Sequence, residues 1–413
     1  MAFSIPRHKS DFWTWITISI IAILCILLIL PILRVLTLGF VDPDTGNLTL
    51  GNFIEVFTRN YYLNGLKNTL FVGVVGTLGA CLIGIPLAFF TTRFLIRGKT
   101  LISTLAILVL VSPPFISAYA WIMMMGSNGV ITNFFDGIGI NIPTIYGAHG
   151  IILVFSLKFF PFIFLMTQTA LNAVNKSFED AAENLGCSPW QRFVKVTLPL
   201  VFPAVSTGAI ICFVLSIADF GTPAILGRGF RTLSTIALSA YRSELGGPPT
   251  MAVTVSILMM AISMIALVAQ RRILANRRYA SSLTNLPVAV KLSGWKNAAV
   301  HFFSHGIVFL AMLPSTVVVY TSFLKTKGPV FVGGFGLESY DRIWRDAPDA
   351  IYNSFLFAII AVTFITITSG LISYVIVRRD TKAAAAIDFL MMVPYLVPGV
   401  VMAIGFVTVF RNG

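Results

Sequence analysis

The chain has 413 residues, 57% of them hydrophobic and 11% charged, with a mean hydropathy of +0.88 and a formal net charge of +13. Those proportions exclude a water-soluble globular domain and leave an integral membrane protein. In a soluble chain the charge would suggest nucleic acid, but 17 of the 29 Lys and Arg residues fall in the N-terminal tail and in alternate loops between apolar runs; the positive-inside rule accounts for most of the excess, and no nucleic-acid partner is expected.

In chain order the apolar runs are Trp13–Leu38, Thr69–Thr91, Leu101–Met125, Ile151–Ala170, Leu200–Ala218, Met251–Gln270, Ala298–Phe323, Ile351–Val377 and Ala384–Phe410. Each is near the roughly 20 residues that a spanning helix needs, and none alternates as a lipid-exposed barrel strand would. The fold class is therefore all-α, a polytopic transmembrane bundle of about nine spans in contact with membrane lipid. The first run follows Arg7 and Lys9, passes Pro31 and Arg34 and lacks a small-residue cleavage site, so it is expected to stay attached with a cytoplasmic N-terminus. Cys25, Cys81 and Cys212 lie in spans and Cys187 in a cytoplasmic loop, a spacing that supports neither a disulfide framework nor a metal site.

Two distant stretches read alike. "LILPILRVLTLGF" from Leu28 pairs with "AMLPSTVVVYTSF" from Ala311, and "KNTLFVGVVGT" from Lys67 with "YNSFLFAIIAV" from Tyr352. Pairing Pro31 with Pro314, Asn68 with Asn353 and Arg93 with Arg378 gives offsets of 283, 285 and 285, the mark of a duplication. Six spans separate the matched points, so the copies are parallel repeats about an axis along the membrane normal. The reading is a first unit at 1–275, a basic cytoplasmic linker at 276–296 and the start of a second unit at 297–413. The remainder of that second copy is expected from a second permease chain or from a missing C-terminal half.

Between the fourth and fifth spans lies "SFEDAAENLGCSPWQRFVKVTLP", residues 177–199. Ser177 with Asp180 reads as a capping box opening a helix, Gly186 as its left-handed end, and Ser188, Pro189 and Gln191 as a second capping box. Leu198-Pro199 is expected to close that second helix. Two short helices broken by a glycine make a cytoplasmic knob, in which Ala181 and Ala182 leave one face small and Glu179, Asp180 and Glu183 offer charge to a partner.

This loop resembles the EAA loop of ATP-binding-cassette importer permeases: Asp180-Ala181-Ala182, three residues, Gly186, nine residues, then Val196-Thr197-Leu198-Pro199. Asp180 stands where Glu is usual, with Glu179 beside it, and Val196 where Ile is usual. The resemblance is nearest to the fused ferric iron type, through "DPDTGNLTLGNF", "LKFFPFIFL" and "ADFGTPAILG". It implies the type I importer permease fold in a bacterial inner membrane. It also implies that Glu179, Asp180, Ala181, Ala182, Gly186, Val196, Leu198 and Pro199 form the element that couples to a dimer of cytoplasmic ATPase subunits. The permease would then be no enzyme and bind no cofactor of its own; the chain has no GxxxxGK[ST] loop, so ATP belongs to the partner. An extracytoplasmic binding protein is implied, landing on Val41–Leu66, Gly126–Ala148, Phe220–Pro249 and Leu324–Ala350. Ferric iron is the implied substrate, with phosphonate, sugar phosphate, thiamine and polyamine carried on the same frame in related subgroups.

Residues that break or charge a span mark a translocation path, because unpaired polar groups are costly in lipid. Those are Pro113 and Pro114, Lys158, Asp219, Pro394 and Pro398. Packing kinks, a structural pairing of Lys158 and a solvent-facing Asp219 are the plainer readings. An ion-coupled secondary transporter also uses repeats but needs no capped cytoplasmic knob; a membrane-embedded enzyme would need clustered His, Asp or Glu inside spans, and the chain has 4 histidines.

Overall fold

A computed structural model describes residues 12–42, 45–243, 250–275, 289–327, 330–379, 381–395 and 397–410. Most of the expected linker and the end of the Phe220–Pro249 segment lie outside these residues.

The first span is α1 (Phe12–Leu24) and α2 (Leu30–Gly39), joined by a π turn at Cys25–Ile29. A short α3 (Gly51–Thr58) leads into α4 (Asn60–Arg93), followed by α5 (Lys99–Val111), α6 (Pro114–Met125), α7 (Val130–Gly137) and α8 (Ala148–Ala173). The knob is α9 (Lys176–Asn184) and α10 (Pro189–Arg192); a π turn at Phe193–Thr197 then carries the chain into α11 (Leu198–Ala218). Next come α12 (Gly221–Leu226), α13 (Leu233–Ser243), α14 (Thr250–Ala275) and α15 (Gly294–Ser322). An antiparallel hairpin of β1 (Leu324–Lys327) and β2 (Val330–Phe335) precedes α16 (Glu338–Asp346), α17 (Pro348–Arg378), α18 (Lys382–Met392) and α19 (Gly399–Phe410).

Among the described residues seven helices are long and apolar enough to cross a membrane, and the bent α5–α6 segment makes eight. That third span turns through 104° at its break, where Pro113 and Pro114 supply no backbone N–H to continue the α5 ladder. The ninth apolar run is interrupted in the same way: α18 ends in a 3-10 turn containing Pro394, and α19 starts just after Pro398. The hairpin is the departure from an all-helical chain, formed by the Val- and Phe-rich "VFVGGF" strand.

The chain divides into two compact units, Met1–Phe40 with Tyr320–Gly413, and Val41–Val319. Contacts and chain order thus part company. The helix carrying Pro31 belongs with α17–α19, and α15, carrying Pro314, belongs with α4, α8 and α11, across the boundary expected between two copies.

In the larger unit α8 is the axle. Of its most apolar stretch 67% is buried, and glycines let neighbouring backbones close on it. A side chain at Gly76 would meet Phe155, one at Gly84 would come within 2.9 Å of the Phe160 carbonyl, and one at Gly208 of α11 would lie 2.9 Å from the Ile163 Cα. Phe155, Phe160, Ile163 and Phe164 are fully buried between α4 and α11. Buried Thr69, Thr77, Thr91 and Ser216 return their hydroxyls to carbonyls four residues back, which satisfies them in an apolar setting. In the smaller unit Trp13 stacks on Tyr374 at 4.1 Å, Ile20 packs with Val375, Ala384 and Ile387, and Gly405 of α19 lies against Pro31.

Candidate functional site

The α9–α10 knob is built as a rigid corner. Helix α9 starts two residues earlier than its sequence suggests: Asn175 is the N-cap, its side chain accepting from the Ser177 N–H at 2.9 Å, so Ser177 sits inside the helix rather than capping it. Gly186 ends the helix at φ +82°, with the Gly186 and Cys187 N–H groups donating to the Glu183 and Ala182 carbonyls at 2.8 and 3.0 Å. The second capping box forms as read: the Gln191 N–H donates to Ser188 Oγ at 3.3 Å and the Ser188 N–H to Gln191 Oε1 at 3.0 Å. Leu198-Pro199 does not close this helix. The chain runs on through the π turn into α11, whose first turn accommodates Pro199 because no intrahelical N–H bond is required there.

The corner is bolted to the C-terminal end of α4. Arg93 Nη2 donates to Glu179 Oε1 at 2.6 Å, and Thr197 Oγ1 donates to the same oxygen at 2.9 Å. Arg93 is buried, and its Nε and Nη1 find no hydrogen-bond partner among the described residues. Phe193 packs edge-on against Phe89 at 4.7 Å, fixing the start of the π turn to the same helix. On the other side of Arg93 the Val290 N–H donates to the Arg93 carbonyl at 2.9 Å, and Leu95 N–H to the Val290 carbonyl at 3.1 Å. An open cavity of about 410 Å³ lies between these walls, lined by Phe89, Arg93, Glu179, Arg192 and Val290 among others.

The acids offered to a partner are held by this chain's own cations: Glu179 by Arg93, Asp180 by Lys176 at 3.9 Å, Glu183 by Arg192. Ala182 is turned inward and buried, and Ala181 is exposed. What the knob presents outward is apolar: Phe178, Leu185 and Trp190 are 46%, 85% and 71% exposed. Exposed apolar side chains of this kind on a loop otherwise rich in polar residues are what protein or membrane contacts use. Arg93 lies outside the motif, Thr197 stands at its unspecified position, and the three exposed apolar residues are not among its named residues. The hint for Arg93 was its place at the end of an apolar helix, matched by Arg378 in the repeat.

Of the span-breaking residues, the structure joins two. Lys158 Nζ lies 2.7 Å from Asp219 Oδ2, the side chains 12% and 4% exposed. Asp219 also accepts from the Thr222 N–H at 2.9 Å and the Thr222 hydroxyl at 3.1 Å, so the carboxylate is satisfied as well as paired. Ser112, Ser117 and Trp121 line a small cavity beside Lys158. Pro113 and Pro114 break the neighbouring span, while Pro394 and Pro398 lie in the other unit.

A helical, multi-span membrane protein with a capped, glycine-ended helical knob between two spans is the class that this fold and site define. Residues 80–279 match the model of the family of binding-protein-dependent transport system inner membrane components. The chain is 28% identical over 386 residues to a ferric-transport-type permease of Haemophilus influenzae, and 28% over 380 residues to the ferric transport system permease protein FbpB of Actinobacillus pleuropneumoniae. Each match covers 88% of this chain but 57% and 52% of those proteins, so the chain spans about half their length. The fold is similar to a chain of a bacterial alginate ABC transporter solved with an alginate pentasaccharide-bound periplasmic protein, with a TM-score of 0.51, 17% identity, 63% of this chain and 93% of that chain covered.

Proposed function

We propose that this chain is a transmembrane permease subunit of an ATP-binding-cassette importer in a bacterial inner membrane. It takes substrate from an extracytoplasmic binding protein. ATP is bound and hydrolysed by separate cytoplasmic ATPase subunits, and closure of their dimer is transmitted through residues 177–199. The observation that carries this reading is the knob itself. Its apolar tips Phe178, Leu185 and Trp190 face outward while Glu179 ties its base to α4 through Arg93, so a push on the tips reaches a membrane-spanning helix without being absorbed by a hinge.

Ferric iron is the proposed substrate, supported by the names of the two relatives that match most of the chain. The first unit is 1–275, the linker 276–296 and the start of a second unit 297–413, with further spans supplied by more permease sequence. The N-terminus is cytoplasmic. Lys158, Asp219, Pro113 and Pro114 border the path in the larger unit, and Pro394 and Pro398 in the smaller.

The test is association with the ATPase. Gly186→Arg, which places a side chain at a left-handed residue, and Trp190→Ala are each expected to abolish co-purification of the ATPase subunit while membrane insertion is retained. Undiminished co-purification in both variants would overturn the coupling role. Uptake of ferric iron compared with phosphonate and thiamine in cells carrying the complete system tests the substrate.

A further inference from the structure

At the opposite end of α4 from Arg93, about 50 Å away along 34 residues at 1.5 Å each, a second cavity has chemistry that the coupling loop does not explain. It is open, about 600 Å³, and lies between α12 and α13. Arg228, Arg231 and Arg242 all line it, with the hydroxyls of Thr235 and Ser239, and no acidic side chain lines it among the described residues. None of the three arginines forms an ion pair among the described residues, while Lys158 and Arg93 elsewhere in the same unit do.

The loop that carries Arg228 and Arg231 is over-determined. Arg228 adopts φ +41°, the left-handed region that a branched-out side chain rarely occupies. Gly227 before it leaves no space for a Cβ, which would lie 2.4 Å from the Pro223 carbonyl and 2.6 Å from the Phe230 carbonyl. Three long-range bonds pin the segment: the Gly147 N–H donates to the Leu226 carbonyl at 2.8 Å, Asn68 Nδ2 to the Arg231 carbonyl at 2.9 Å, and the Leu233 N–H to Thr69 Oγ1 at 2.8 Å. Two guanidinium groups are further positioned by aromatic faces, Arg228 over Tyr146 at 3.3 Å and Arg231 over Tyr61 at 5.1 Å. Two of the three like charges, Arg228 and Arg231, sit on this strained, rigidly held turn, and Arg242 of α13 lines the same cavity; gathering them works against folding, and strain of this kind persists where the surrounding structure enforces it for a purpose.

We propose that this cavity is a binding site for a multivalent oxyanion, of phosphate or polycarboxylate type. Planar guanidinium forks match the oxygen geometry of such groups, and the volume is that of a small-molecule site; the hydroxyls of Thr235 and Ser239 donate to the Thr232 and Ile236 carbonyls, which leaves the arginines as the donors. The site does not depend on the importer reading, although Tyr61, Tyr146 and the arginines come from three of the segments proposed to meet a binding protein.

The experiment uses the full chain purified in detergent and titrated calorimetrically with inorganic pyrophosphate and with citrate. Saturable one-site binding is expected for at least one probe, weakening as salt rises. The Arg228→Ala/Arg231→Ala/Arg242→Ala variant is expected to lose at least tenfold in affinity, and Arg242→Glu, a single exposed change on α13, to lose a similar amount in a chain whose fold is not at issue. Repeating the titration in nanodiscs of phosphatidylcholine with and without phosphatidylglycerol distinguishes sources: competition by phosphatidylglycerol assigns the oxyanion to a lipid headgroup, its absence to a free anion. Failure of both probes to bind and of phosphatidylglycerol to associate, or wild-type affinity in both variants, would overturn the proposal. Because ATPase co-purification reads the other end of α4, either conclusion can fail without the other.

Discussion

Helices α4 and α17 carry the matched Asn and Arg of the two copies and are almost equally apolar, with hydropathies of 2.2 and 2.4 over their best eighteen residues, yet 33% of that stretch is buried in α4 and none in α17. Hydropathy therefore says that a helix enters the membrane and nothing about what it meets there. The distinction lies in small residues. Gly76, Gly79 and Gly84 bring α4 onto α8, whereas the matched positions of α17 are Ala361, Phe364 and Ser369, and its Gly370 faces open space. Between helices in lipid there is no hydrophobic gain, so close backbone approach and satisfied polar groups decide the packing. α4 has both kinds of contact; α17 meets α18 and α1 near its C-terminal end and presents Phe355, Ile359, Val362 and Phe364 outward.

The polar contacts of the buried side should give the largest effects. Lys158→Met leaves the Asp219 carboxylate buried without its cation, and a broken buried pair of this kind costs on the order of 3–5 kcal/mol. The expected outcome is a steep fall in the thermal midpoint in detergent, with most of it recovered in Lys158→Met/Asp219→Leu, where no orphan charge remains. A double variant no better than the single would mean that the Thr222 bonds, not the pair, hold this end of α11.

Next in size is the matched arginine. Arg93→Ala removes the Nη2 bond to Glu179 and should cost about 2–3 kcal/mol, the range of a hydrogen bond to a charged group together with a partly buried carboxylate left short of a donor. Arg378→Ala, at an exposed position, should stay within about 0.5 kcal/mol. Limited proteolysis after residue 175 offers a local readout: faster cleavage of the α9–α10 corner in the first variant only. Equal effects in the two variants would break the asymmetry between the copies.

Class, spans and the capped, glycine-ended loop are legible in the sequence because each rests on local signals: apolar composition, apolar length, and capping residues at fixed spacing. The second capping box at Ser188 and Gln191 and the left-handed Gly186 formed as read. What was not legible required partners distant along the chain. Asn175 outcompeted Ser177 as the cap because only the backbone geometry decides which side chain reaches an open N–H. Leu198-Pro199 reads as a stop, but a wide π turn ahead of it lets the helix continue. Glu179 looked like a charge for a partner, and its engagement by Arg93, 86 residues away, has no local signature. Lys158 and Asp219 were each singled out alone; that they neutralise one another appears only when α8 and the end of α11 are brought together. The arginine cavity has no local signature, because its three members are scattered cations in the sequence and meet only when α12 and α13 are brought together.

The smallest expected effect is the sharpest test of the α4 and α17 contrast, because one substitution should act with opposite sign at two sites. Gly84→Ala adds a Cβ 2.9 Å from the Phe160 carbonyl and 3.0 Å from the Phe164 nitrogen, both backbone atoms of fully buried residues that cannot swing aside. Overpacking there should cost about 1–3 kcal/mol and separate α4 from α8. Gly370→Ala adds the same methyl group where nothing lies within 4 Å, so only the helix preference remains, worth roughly 0.5–1 kcal/mol in favour of Ala. Thermal midpoints of the two variants, measured in the same detergent, should therefore fall on either side of the wild-type value. A fall at Gly370 as well would show that another helix closes on that face of α17 in the assembled protein, and would identify the face by the one residue at which close approach is possible.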